Sequence, residues 1–210
     1  MKRSSGFVRI LVVDDHPLLR GGIAALIGTQ SDMGLVAEAS TGREAIDKFR
    51  AVQPDITLLD LQMPELNGID ALIAIRSEWP SAKVIVLTTY GGDALAERAL
   101  KAGAQAYVLK ALVGEELLET IRAVHRGHKR IHPAVAAQLA SHLGEETLSG
   151  REAQVLTLVA SGNSNKAIAG QLAISEDTAK AHVASIIAKL GANDRTHAVT
   201  LARERGILPP

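Results

Sequence analysis

The sequence predicts two folded units: an α/β doubly wound unit on a five-stranded parallel sheet, then an all-α unit of four helices in a helix-turn-helix arrangement. Three observations carry this. Short β-rich runs alternate with helical patterns up to about residue 125, while from residue 148 onward only helical patterns remain. A chain of 210 residues is long for one domain and comfortable for two.

The strands read as Val8–Val13, Leu35–Ala39, Ile56–Leu59, Lys83–Thr88 and Ala106–Leu109, with helices near 17–28, 42–52, 65–78, 92–102 and 114–126. This places a first unit at 7–126. Residues 127–147 form a linker in which Pro133 opens a short helix through Leu143. The second unit spans 148–208. Its first helix has Ser149 and Glu152 in capping-box spacing and stops at Gly162, and the second starts at Ser164. The third is capped by Ser175 and closed by Gly191, and Asp194 caps the fourth.

Composition narrows the function. Residues 1–125 carry 16 acids and 13 bases, residues 126–210 carry 7 and 10, so a net −3 unit precedes a net +3 unit that suits a polyanion. The absence of cysteine excludes disulfides and thiolate metal sites. The basic start, Met1 to Gly6, runs into a strand core instead of a signal segment, and no apolar run has membrane-span length, so a cytoplasmic protein is expected. Aromatics at 2% argue against a surface that stacks single-stranded bases. His125, His128, His132 and His142 straddle a helix end and the linker, a spacing that does not point to a metal site.

In a parallel sheet the strand ends share one rim, where doubly wound folds place their ligands. Asp14 and Asp15 follow the first strand, Asp60 the third, Thr88 closes the fourth and Lys110 follows the fifth. Taken singly each is ordinary: Asp60 a turn residue, Thr88 a β-former, Lys110 a solvated side chain. Together, three carboxylates would repel one another unless a hard divalent cation joined them, and Mg²⁺ takes carboxylate, water and phosphate oxygens. With the lysine and that cation the charge sums to zero, and such a site can accept a phosphoryl group. Asp60, by itself on the middle strand, is the expected nucleophile. Asp14 and Asp15 are expected to hold metal, Lys110 to neutralise phosphoryl oxygens and Thr88 to donate a hydrogen bond.

The segments "ILVVDDHPLLR", "DITLLDLQMPELNGID", "VIVLTTY" and "GAQAYVLKA" resemble the receiver domain of two-component response regulators, a flavodoxin-like fold. The resemblance implies Asp60 as phosphoacceptor, and Mg²⁺ (or Mn²⁺) held by Asp14, Asp15, Asp60 and the backbone carbonyl of Gln62. It further implies Thr88 and Lys110 on the phosphoryl group, Tyr107 as the aromatic switch that turns inward on phosphorylation, and a sensor histidine kinase as phosphodonor. Ala111 departs from the Asp often found after the lysine.

The back half resembles the LuxR-type helix-turn-helix, through residues including Arg151-Glu152, Asn165-Lys166, Ile168-Ala169, Ile174-Ser175, Thr178, Lys180, His182-Val183 and Lys189-Leu190. Together the halves are similar to NarL/FixJ-type regulators. This implies transcription control through duplex DNA by a homodimer, not an enzyme, with no membrane partner. The third helix would enter the major groove. DNA contacts are then expected from Lys166, Thr178, Lys180, Ala181, His182, Ala184 and Lys189, and a dimer seam from Val199, Leu201 and Ala202 on the last helix. Asp177 stands where Lys is common in this family, and Ala181 and Ala184 where polar or basic residues are frequent.

Other functions compete with this one. A haloacid-dehalogenase-like phosphatase carries D-x-D after its first strand, whereas here the pair is contiguous and the singleton sits on the third. An RNA-binding antiterminator joins a receiver to helices, but the helix-turn-helix pattern and scarce aromatics speak against it. A phosphorylation-independent dimeric scaffold is the third alternative.

Overall fold

In a computed structural model the chain is described over residues 6–89, 93–131, 133, 135–137 and 148–208. It divides into two compact units, the first running to about Ala137 and the second reaching the C-terminus. The linker helix proposed at 133–143, and with it His132 and His142, lies largely outside the described residues.

The first unit is a sheet of β1 (Val8–Val13), β2 (Met33–Ala39), β3 (Ile56–Asp60), β4 (Val84–Thr88), β5 (Ala106–Leu109) and β6 (Arg130–Ile131). The order is β2-β1-β3-β4-β5-β6, every pair parallel. Around it lie α1 (Pro17–Gly28), α2 (Gly42–Val52), α3 (Gly68–Glu78), α4 (Asp93–Lys101) and α5 (Val113–His125). Because successive residues of a strand face opposite ways, one set of side chains packs under α1 and α5. Val8, Ile10, Val12, Ile56, Leu58, Ile85, Leu87, Ala106 and Val108 form that core with Ile23, Ile27, Leu117, Ile121 and Val124.

Two differences from the sequence reading have physical causes. The sheet has six strands, not five: Gly127 adopts φ +93 and closes α5, and the chain returns so that Arg130 and Ile131 pair with Ala106 and Tyr107. A two-residue strand in the polar run "GHKRIH" has no alternation to reveal it. Second, α3 begins at Gly68 and not at 65. Glu65 takes a left-handed φ of 66°, and the Asn67 side chain then caps the helix by accepting from the Asp70 amide at 3.0 Å.

The second unit holds α6 (Gly150–Ala160), α7 (Asn165–Leu172), α8 (Glu176–Leu190) and α9 (Arg195–Glu204). Ser149, Ser164, Ser175 and Asp194 cap them as expected, with both halves of the Ser149–Glu152 capping box formed. Val155, Leu156, Ile168, Ala179, Ile186, Leu190, Ala198 and Ala202 lie in its core. The turn from α7 to α8 passes through Ala173 at φ 52, which lets Ile174 donate back to the Ala169 carbonyl at 3.0 Å. Burial of Ala179, Ile186 and Leu190 fixes the rotation of α8, leaving Asp177, Lys180, Ala181, Ala184 and Ala188 on its exposed side.

Candidate functional site

Parallel pairing in register brings the strand ends of β1, β3, β4 and β5 to one rim of the first unit. There Lys110 Nζ lies 2.7 Å from Asp60 Oδ2 and 2.8 Å from Asp14 Oδ2. Both carboxylates are buried, and the ammonium is nearly so. The other Asp60 oxygen accepts from the Gln62 amide at 3.1 Å, and Asp14 Oδ1 accepts from the His16 amide at 2.8 Å. Arg20 Nη1 donates to the Asp14 carbonyl at 2.6 Å while its Nε meets Glu38 at 3.0 Å, pinning the β1 end to β2.

Burial pushes the Asp60 carboxyl above the usual carboxylate range, although the Lys110 ammonium draws it down. Burial works to lower Lys110, but the hydrogen bonds it donates to Asp14 and Asp60 outweigh that and the ammonium is held charged. The three carboxylates and one ammonium leave a local charge of −2, which a divalent cation would cancel. The donor atoms of Asp14, Asp15, His16 and Asp60 all lie within 4.8 Å of one another. Asp15 Oδ1 is buried and takes up no hydrogen bond of good geometry, although His16 Nδ1 stands 2.7 Å away. A compact oxygen-rich set with an under-satisfied buried oxygen fits a hard ion such as Mg²⁺ or Mn²⁺. His16 was not anticipated as a neighbour of this set; its contiguity with Asp14-Asp15 was the available signal.

Two glycines shape the rim. A Cβ on Gly68 would lie 2.0 Å from the Asp60 carbonyl oxygen and 2.7 Å from the Leu61 Cα, so α3 starts directly against the backbone that carries Asp60. A Cβ on Gly42 would meet the Leu66 carbonyl at 2.4 Å. Thr88 is buried, and Tyr107, 1% exposed, hydrogen-bonds it; burial pushes the Tyr107 hydroxyl up to about 12 against that bond. The aromatic ring expected to turn inward therefore already lies inward here. Gln62 is half-buried, its Oε1 3.5 Å from the Thr89 hydroxyl.

On the second unit, Lys166, Thr178, Lys180, Ala181 and Ala184 are exposed and His182 is half-buried. Lys180 is not a free cation: its Nζ lies 3.4 Å from Asp177 and 3.6 Å from Glu176.

Residues 10–122 match the response regulator receiver domain family, and residues 146–202 match the luxR family of bacterial regulatory proteins. The chain is 40% identical to the transcriptional regulatory protein YhcZ of Bacillus subtilis, over 93% of this chain and 95% of that one. It is 35% identical to the response regulator protein VraR of Staphylococcus aureus, over 96% and 99%. Among solved structures, RcsB of Salmonella enterica serovar Typhimurium, bound to promoter P1flhDC in the presence of the phosphomimetic BeF3−, aligns with TM-score 0.74 at 25% identity over 94% and 98%. The chain belongs to the response regulators with a LuxR-type DNA-binding domain.

A two-component response regulator of this type is a DNA-binding transcription regulator and not an enzyme. Among the described residues no helix is long and apolar enough to cross a membrane. Two expected positions are engaged inside this unit. Lys189 Nζ is 2.9 Å from Glu152 Oε2 and 20% exposed, so it ties α8 to α6. Ala202 is fully buried in the helical core and offers nothing to a dimer seam, whereas Val199 and Leu201 keep partly exposed edges. The helical hydrophobic period marked all three alike and could not separate the inner face of α9 from its outer one.

The Glu152 carboxylate, 5% exposed, was not singled out as more than a cap. It accepts from Ser185 Oγ at 2.6 Å, the Ser149 amide at 2.7 Å and Lys189, tying α6 to α8.

Proposed function

We propose that Asp60 accepts a phosphoryl group from a sensor histidine kinase and that the phosphorylated chain regulates transcription by binding duplex DNA as a homodimer. What supports this above all is the buried Asp60 carboxylate, clamped at 2.7 Å by a charged lysine inside a three-carboxylate cluster. Asp14, Asp15, Asp60 and the Gln62 carbonyl would hold Mg²⁺ or Mn²⁺, which when bound offsets carboxylate repulsion and polarises phosphoryl oxygens.

In the transfer, an Asp60 carboxylate oxygen attacks phosphorus, the bond from phosphorus to the donor imidazole nitrogen breaks, and that nitrogen keeps the electron pair. Desolvation leaves the Asp60 oxygen poorly solvated and nucleophilic, while Lys110 swings from carboxylate to phosphoryl oxygen without crossing the site. The added group brings about −1.5 to −2 charges and three acceptor oxygens. Thr88 turns its hydroxyl from Tyr107 to one of them, and the freed Tyr107 hydroxyl, deeply buried, must find another partner. Tyr107 is paired in register with Ile131 of β6, so the strand at the start of the linker adjoins the switch residue.

In this reading residues 7–126 receive the phosphoryl group, 127–147 link, and 148–208 bind DNA in the cytoplasm. Lys166, Thr178, Lys180, Ala181, His182 and Ala184 face the duplex, and the outer edges of Val199 and Leu201 meet the second copy. Light scattering on the full chain, with a small-molecule phosphodonor and Mg²⁺, should show the mass double. A mass that stays monomeric while the chain is phosphorylated would remove the dimer from this account.

A further inference from the structure

Asp177 occupies the second position of α8 with its side chain 93% exposed, on the surface shared by Thr178, Lys180, Ala181 and Ala184. A carboxylate there is repelled by the phosphates of every duplex alike. It gains only where a hydrogen-bond donor meets it, and in the major groove the base donors are the amino groups of cytosine N4 and adenine N6. Adenine sets its amino group beside the N7 acceptor, which repels a carboxylate; cytosine carries no such acceptor next to N4 on its own edge. Cytosine is therefore the base that an acid at this position selects.

The surroundings leave this residue little competition. Ala181, Ala184 and Ala188 offer only methyl groups, which suit thymine methyls. The Thr178 hydroxyl is engaged with Ser175 Oγ at 2.8 Å. Lys180 reaches Asp177 Oδ1 at 3.4 Å and Glu176 at 3.6 Å, so these three side chains together carry −1 and supply no net attraction to phosphate. That same lysine restrains the Asp177 carboxylate along the helix, and Asp177 Oδ2 takes up no hydrogen bond among the described residues.

We infer that Asp177 is the specificity-determining residue of this recognition helix and reads a cytosine amino group in each half-site. The assignment rests on the proposed placement of α8 in the major groove. It is tested by selection from duplexes with a randomised core, using the full chain with a small-molecule phosphodonor and Mg²⁺, and comparing wild type, Asp177→Asn and Asp177→Ala. The wild type should enrich one C·G pair per half-site. Asp177→Asn should convert that pair to A·T, because a carboxamide matches adenine N6 and N7. Asp177→Ala should lose preference there, keep the rest of the motif and bind all duplexes more tightly. Replacing the selected cytosine should weaken wild-type binding on the order of ten-fold and the Ala variant hardly at all. Three proteins enriching one identical motif, or a wild type that enriches adenine at this position, would overturn the cytosine assignment alone. Enrichment of no duplex by any of them would overturn the DNA reading together with it.

Discussion

Asp60→Asn is expected to reduce Mg²⁺-dependent incorporation of phosphate from a small-molecule phosphodonor to background, read by intact mass. The substitution keeps the shape of a fully enclosed side chain but replaces the attacking carboxylate oxygen with a neutral amide. Neighbouring Asp14 and Asp15 are not expected to substitute for it. The Asp14 carboxylate is buried against Lys110 and the His16 amide, and that of Asp15 is partly exposed beside His16. The fold should survive, since Lys110 retains its 2.8 Å contact with Asp14 and the amide can still accept from Gln62. Undiminished labelling of the variant would move the acceptor to another residue.

The second large effect is on stability. Glu152→Ala should destabilise the helix-turn-helix unit by about 3–5 kcal/mol, because it removes the Glu152 half of the capping box on α6 and deprives the largely buried Lys189 of its carboxylate. The Glu152 carboxyl is held down at about 2, first by the Ser185 hydroxyl, then by the Ser149 amide and Lys189, against an ordinary 4.5. A carboxyl lowered on folding contributes stability that is full above about 4.5 and is lost as pH falls toward about 2, here about 3 kcal/mol. Glu152→Gln should accordingly flatten the acid limb of the melting curve of this unit. Trp79, the only tryptophan, lies at the end of α3 and reports the receiver separately. Its fluorescence transition should stay in place while the helical circular dichroism loses its other component. Equal shifts in both signals, or none, would refute the role of Glu152.

The legible part of this protein was the part in which local pattern and global fold agree. Alternating strand and helix periods gave the five long strands, and Ser149, Ser164, Ser175 and Asp194 announced four helix starts that the structure keeps. The rim site could be read because parallel strands turn sequence position into spatial position: whatever ends or follows β1, β3 and β5 converges. Asp14, Asp60 and Lys110 meet within hydrogen-bonding distance for that reason.

What escaped depends on tertiary packing. β6 is too short to carry a period, and its existence depends on an open β5 edge. The displaced start of α3 depends on one left-handed residue and on how closely Gly68 approaches the Asp60 carbonyl. The pairing of Lys189 with Glu152 and the burial of Ala202 escaped because a helical wheel shows which residues share a face but not which neighbour covers it. Two acidic neighbours crowd Lys180, and that crowding brings Asp177 forward as the selective group.

A phosphoryl group on Asp60 is expected to raise affinity for duplex DNA. The most direct measurement is the affinity of the full chain for a duplex carrying its paired half-sites, with and without a beryllofluoride phosphoryl mimic and Mg²⁺, for wild type and Asp60→Asn. Addition of the mimic should tighten binding by the wild type and leave the variant unchanged. Equal affinities in the wild type with and without the mimic, or the same gain in Asp60→Asn, would contradict it.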